Sequence, residues 1–232
     1  MPISFFGRII DLIAPRACAI CGCRLAPSEE SICTSCNLHL PRTNFSHDPM
    51  ENEMAQLFWL QLPIERAAAL MFYQPKSEVC RFIHRLKYEG HSEIGEQMGR
   101  LMAEEMSRDG FFDGIDVIVP VPLTRQRERQ RGYNQSLKIA EGLSQATGIP
   151  IAQAVIRRKT FFGSQTQKGR WERQANVEKA FELRHGERIS GKHVLLVDDV
   201  VTTGATAIAC GQQLMQAGDI KISVLSIGFT KA

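Results

Sequence analysis

Near its C-terminal end the sequence reads KHVLLVDDVVTTGATAIACGQ, and no other stretch limits the possible folds so tightly. Val194, Leu195, Leu196 and Val197 run without a polar break, the pattern of a strand buried on both faces, as in a parallel sheet covered by helices. Two like charges follow, Asp198 and Asp199, and then the small or hydroxyl-bearing Thr202, Thr203, Gly204, Ala205 and Thr206. Ligands of parallel sheets gather beyond the carboxyl ends of the strands, so the two acids are expected at the mouth of a site. Small residues between a strand and a helix let the helix's first amides approach a phosphate closely, and threonine hydroxyls add donors. Acceptors beside a phosphate cradle suit a ligand that carries hydroxyls next to a phosphate, as ribose 5-phosphate does.

The preceding segments supply the neighbours such a strand needs. IERAAALMFY predicts a strand stopped by Pro75, and KSEVCRFIHRLKYEG places Val79, Phe82, Ile83 and Leu86 at helical spacing before Gly90. Ile94, Met98, Leu101 and Met102 mark a second helix. DVIVPVP then predicts a strand closed by prolines, YNQSLKIAEGLSQATG a helix ending at Gly148, and AVIRRK a short strand. After a long polar stretch over residues 160–176 come the strand HVLLVDD, the helix TGATAIACGQQLMQAG and a last strand, ISVLSIGF. Strands alternating with helices predict an α/β domain over residues 63–232 with a parallel twisted sheet.

The N-terminal region has a different character. Cys18, Cys21, Cys33 and Cys36 form C-x2-C, eleven residues, then C-x2-C, which is the spacing of two metal-binding knuckles. Four sulfurs close a tetrahedral Zn2+ site, so the expected metal is structural rather than catalytic. Cys23 and His39 lie near enough to compete as ligands. A segment this small cannot fold on its apolar surface alone, and metal binding would supply on the order of 10 kcal/mol. The expected module covers residues 1–45, with a linker over 46–62 that begins in the polar, proline-containing LPRTNFSHDPMENE. Before the cysteines, Phe5, Phe6, Ile9, Ile10, Leu12 and Ile13 are interrupted by Arg8 and Asp11, which suits a short amphipathic helix better than a signal peptide.

Seven cysteines, four of them in close pairs, argue against a secreted disulfide framework and predict a cytoplasmic protein. No apolar run approaches the ~20 residues that span a bilayer. The net charge of +3 is unevenly spread: residues 120–180 hold 12 Lys and Arg against 4 Asp and Glu, leaving −5 for the rest. Such a block predicts an anionic partner, phosphates or nucleic acid.

These stretches resemble a known family. VLLVDDVVTTGAT resembles the phosphoribosyl pyrophosphate (PRPP) fingerprint of type I phosphoribosyltransferases. The cysteine pairs, FIHRLKYEG, VPVPLTRQRERQRGYNQS and QTQKGRWERQANVEKAF, in that order, resemble the ComF family over nearly the whole chain. The resemblance implies a zinc-ribbon-like module on a phosphoribosyltransferase domain, and a role in natural transformation or the use of incoming DNA. It puts Asp198 and Asp199 on the ribose hydroxyls, Thr202, Thr203, Gly204, Ala205 and Thr206 around the 5-phosphate, and Pro120 and Val121 in a pyrophosphate loop. Arg125 and Arg131 follow that loop, and a guanidinium fork suits a diphosphate because it binds two oxygens at once. Residues 160–176 resemble the loop that covers the active site in this fold, with Gln165, Arg170, Arg173 and Asn176 at matching places. Gln167, Lys168 and Gly169 depart from the usual Gly-Leu-Ser at its centre.

The reaction so implied is displacement of pyrophosphate from C1 of PRPP, with Asp198, Asp199 and Arg131 in catalytic positions and Mg2+ and arginines stabilising the departing charge. Two other readings fit the same residues. One is a module that binds PRPP without turning it over. The other is a single-stranded DNA-binding protein whose basic stretch follows the backbone, with Tyr133 or Trp171 stacking on bases. Other transformation proteins are the expected partners.

Overall fold

Residues 15–30, 32–74, 77, 81–159 and 180–231 are described by the structure, a computed structural model. The expected N-terminal helix and residues 160–176, with Gln165, Arg170 and Arg173, lie outside the described residues. In chain order the strands are β1 (Arg66–Phe72), β2 (Val117–Pro120), β3 (Ile156–Arg158), β4 (Phe181–Leu183), β5 (His193–Val201) and β6 (Lys221–Phe229). Among the described residues four of them form one sheet in the order β1-β6-β5-β2, and every pairing in it is parallel. Val194, Leu195, Leu196 and Val197 are fully buried at its centre, as their unbroken apolar run requires.

The helices are α1 (Thr34–Leu38), α2 (Glu53–Gln56), α3 (Arg81–Tyr88), α4 (Ser92–Met106), α5 (Arg125–Arg131), α6 (Gln135–Thr147) and α7 (Ala205–Leu214). Helix α6 starts where Asn134 accepts the Ser136 amide and buries Ile139, Ala140 and Leu143. It packs on β2 and β5 and lies backbone to backbone against α4. A Cβ at Gly142 would fall 1.8 Å from the Glu96 carbonyl oxygen, so only glycine permits this approach. Helix α7 packs on β5 and on the antiparallel β3–β4 pair.

Residues 46–62, the expected linker, are stitched along β1. Ala67 donates to the Pro49 carbonyl at 2.7 Å, and the Asn52 side chain donates to the Ala67 carbonyl at 2.8 Å while capping α2 through the Met54 and Ala55 amides. Met54, Ala55, Phe58 and Leu62 are buried there. The small side chains of Ala67, Ala68 and Ala69 leave β1 room for close neighbours. The cysteine-bearing segment rests on α3 and α4: Arg100 pairs with Glu30 at 2.5 Å, and Arg85 donates to the Ala19 carbonyl at 3.4 Å. Among the described residues, no helix is long and apolar enough to cross a membrane.

Candidate functional site

The geometry of the site comes from unequal strand lengths. Strand β2 stops at Pro120, opposite Val197, whereas β5 and β6 run on together to Val201 and Phe229. The acids lie within β5, as the strand HVLLVDD implied, and pairing with β6 carries the ladder through Asp198 and on to Val201. They nevertheless stand at an opening, since β5 overhangs the shorter β2. The chain leaving β2 borders this overhang: the Val121 amide donates to the Val197 carbonyl at 2.9 Å, and the Asn134 side chain holds the Val121 carbonyl at 3.0 Å. Pro120 and Val121 are both buried.

Neighbouring side chains on a strand point to opposite faces, so the two carboxylates meet different partners. Asp198 Oδ1 accepts from the Ser136 hydroxyl of α6 at 3.2 Å and from the Asp199 amide at 2.8 Å. Asp199 Oδ1 lies 3.1 Å from Lys87 Nζ at the end of α3. Burial, and then the adjacent Asp199 charge, push Asp198 from 3.8 up to about 7, against the opposing pull of its own hydrogen bonds and Lys87. Two adjacent carboxylates, one of them raised to about 7, favour a ligand that donates hydroxyl hydrogens or brings positive charge.

After Val201 the chain turns into α7 through Gly204, whose φ of +74° is strained for any residue with a Cβ. The first helical bond runs from the Ile208 amide to the Gly204 carbonyl at 2.8 Å, so the amides of Ala205, Thr206 and Ala207 find no carbonyl within the helix. Asp198, Val201 and the turn residues 202–207 line a cavity of about 40 Å³. One water needs only ~10–15 Å³ by that measure, so a small oxyanion fits. Thr202, Thr203, Gly204, Ala205 and Thr206 are therefore gathered around one hollow with Asp198 on its wall, while Asp199 is held by Lys87 beside it.

The arginines divide into two groups. Arg131 donates to Gln135 at 2.6 Å and stacks on Tyr88, its guanidinium carbon 5.3 Å from the ring centroid, and pairs with neither acid. Arg125, Arg127 and Arg129 stand exposed on α5, a helix with no buried residue, started by Thr124 and stopped by Gly132. Arg125, Glu128, Arg129 and Gly132 line a shallow depression of about 250 Å³.

Three residues of the site were not singled out from the sequence. Lys87, in the last turn of α3, reads there as a partner for the helix dipole, and only its tertiary position brings it to Asp199. Ser136 lies in the first turn of α6, and nothing in the sequence marks it as a partner of Asp198. Arg158 lies over the Phe181 ring at 5.2 Å; burial chiefly, then Arg127, lower its pKa, while Asp198 pulls the other way. The FIHRLKYEG stretch also fixes the neighbouring segment: Tyr133 donates to the Leu86 carbonyl at 2.6 Å, and Tyr88 carries Arg131.

The cysteines form a second centre. The sulfurs of Cys18, Cys21, Cys33 and Cys36 all lie within 4.8 Å of one another, a donor set that fits one tetrahedral metal ion. Cys33 donates its amide to Cys18 Sγ at 3.3 Å, and Cys36 to Cys33 Sγ at 3.4 Å, bonds that favour thiolates. His39 turns away, with Nδ1 2.7 Å from the Ser35 carbonyl, and Cys23 stands beside the set, 3.0 Å from Cys21 Sγ.

Over 210 residues the chain is 30% identical to the DNA utilization protein YhgH of Escherichia coli O157:H7, which covers 89% of this chain and 87% of that one. Competence protein F of Haemophilus influenzae is 30% identical over 146 residues, 61% of this chain and 64% of its own. This chain belongs to the ComF family. Competence protein ComFC of Bacillus subtilis is a further relative, 29% identical over 136 residues, 59% of this chain and 53% of its own. No protein-family model matches the chain. A solved adenine phosphoribosyltransferase superposes with a TM-score of 0.37 at 21% identity, over 62% of this chain and 75% of that one. The α/β fold with its parallel sheet and N-terminal cysteine cluster is what the resemblance to ComF proteins implied.

Proposed function

We propose that this protein binds a ribose 5-phosphate group, most naturally that of PRPP, in the hollow between Asp198 and the first turn of α7. The observation that carries the reading is the cavity of about 40 Å³ lined by Asp198 together with Thr202, Thr203, Gly204, Ala205 and Thr206 at the start of α7. The amides of Ala205, Thr206 and Ala207 would take the phosphate, as helix N-termini do, and Asp198 and Asp199 would accept the ribose hydroxyls. Lys87 and Arg131 supply positive charge for the diphosphate from α3 and α5, and Arg158 adds charge from β3. Gln165, Arg170 and Arg173 are proposed to complete that side. Mg2+ is proposed to accompany the diphosphate, bound mainly through the ligand's own oxygens. Zn2+ is proposed for the four-sulfur set, where it would hold the N-terminal segment together.

The cellular role proposed is the handling of incoming DNA, in keeping with the names of the relatives in Escherichia coli and Haemophilus influenzae. Turnover of PRPP is tested by pyrophosphate release with Mg2+ and a panel of nucleobases and DNA. Release that disappears in Asp198→Asn/Asp199→Asn identifies a transferase, and binding with no release identifies a PRPP-sensing module. A second reading, binding of single-stranded DNA, is favoured by the exposed Arg125, Arg127 and Arg129 of α5, of which Arg125 and Arg129, four residues apart, share one side of the helix. DNA affinity that falls steeply with salt, and survives loss of the two acids but not of these arginines, would establish it.

A further inference from the structure

The cysteine centre holds one thiol more than its metal needs. Four sulfurs lie within 4.8 Å of one another and complete a tetrahedral site, yet Cys23 Sγ sits 3.0 Å from Cys21 Sγ, nearer than Cys33 Sγ at 3.7 Å. The backbone builds this contact. Gly22 takes a φ of +74° and donates to the Cys18 carbonyl at 2.9 Å, and the Cys18 amide donates to the Cys23 carbonyl at 2.7 Å. The resulting turn brings residues two apart onto one side. Exposure separates the sulfurs further: Cys21 and Cys23 face solvent, whereas Cys18 and Cys33 are buried and Cys36 is half-buried.

We infer that Cys21 and Cys23 form a peroxide-sensitive pair whose disulfide withdraws Cys21 from the metal site and releases the zinc. The steps balance with hydrogen peroxide as the two-electron oxidant. Peroxide oxidises the exposed Cys23 thiol to a sulfenic acid, and water leaves. The Cys21 thiolate then attacks the Cys23 sulfur, its bond to the metal breaks, the S–S bond forms, and hydroxide departs to be protonated by solvent. Three sulfurs remain, two of them buried, and a three-ligand site holds the ion far less tightly than a closed one. Two electrons from a thiol reductant, with fresh zinc, restore the starting state. The inference rests on the four-sulfur zinc site proposed above, and the zinc content of the untreated protein tests that separately.

The experiment uses the zinc-loaded full chain. Peroxide is added with a chromogenic chelator present, zinc release is followed by absorbance, and the peptide containing both cysteines is examined by mass spectrometry. The expected result is loss of the bound zinc together with an intrapeptide Cys21–Cys23 disulfide, reversed by dithiothreitol and zinc. Cys23→Ser and Cys23→Ala should keep the zinc stoichiometry of the parent and release it about tenfold more slowly under peroxide, because no adjacent sulfenic acid is left to trap Cys21. Release from both variants at the parent rate, a disulfide mapped to other cysteines, or loss of zinc binding in the untreated variants would each overturn the inference.

Discussion

Replacing Asp198 by asparagine should make the ligand-free protein more stable at neutral and alkaline pH, even as it weakens ligand binding. Asparagine keeps an oxygen to accept from the Ser136 hydroxyl and the Asp199 amide, so the hydrogen bonds survive and only the charge is lost. Burial and the Asp199 charge raise the Asp198 carboxyl from 3.8 to about 7 in the folded state. A folded pKa above the unfolded one means that the unfolded chain ionises first as pH rises. Stability contributed by the protonated acid is therefore full below pH 4, declines from there to pH 7, and leaves a constant deficit above. That gap of three units corresponds to about 4 kcal/mol at full burial. Asp198 is partly open to solvent through the cavity, so about 2 kcal/mol is the expected gain, or about 4–8 °C in melting temperature for a chain of this size. Thermal melts of parent and variant at pH 4 and pH 8 provide the assay. A gain at pH 8 that disappears at pH 4 supports the reasoning; equal gains at both, or none at pH 8, would refute it.

Lys87→Met removes the partner of a mostly buried carboxylate and should cost about 1–3 kcal/mol at pH 8, with a double-mutant cycle against Asp199→Asn recovering most of that loss. Gly142→Ala would drive a methyl into the Glu96 carbonyl and should cost about 3 kcal/mol or more by urea denaturation, since α4 and α6 must separate to admit it. His193 is buried with Nε2 2.8 Å from the Ser223 hydroxyl, and burial lowers its pKa; the unfolded chain therefore takes up a proton first, so this site's contribution to stability falls as pH drops below 6.5, and a pH series of urea melts on His193→Gln should lose that part of the slope.

Much of this architecture was legible in the residues. The unbroken run at 194–197 announced a central parallel strand, and Gly148 marked the end of α6. Helix α5 escaped because RQRERQR has no apolar periodicity; its signals are only the cap Thr124 and the stop Gly132. The stretch over 40–53 reads as polar and led the linker to be drawn on to residue 62, yet the apolar-rich residues 54–62 that follow bury Met54, Ala55, Phe58 and Leu62. In the site, the acids and the turn after them are contiguous in sequence and so were visible together. Lys87 and Ser136 come from other elements, and only the fold brings the one to Asp199 and the other to Asp198, with Arg158 of β3 near enough to feel the Asp198 charge.

The central claim is that the hollow at the start of α7 takes a ribose phosphate. Calorimetric titration of PRPP with Mg2+ into the parent protein and into Asp198→Asn/Asp199→Asn tests it most directly. The account predicts one ligand per chain for the parent and affinity at least about tenfold weaker for the variant, the loss of two charge-assisted hydrogen bonds. No heat of binding in the parent, or equal affinity in a variant that remains folded, would contradict it.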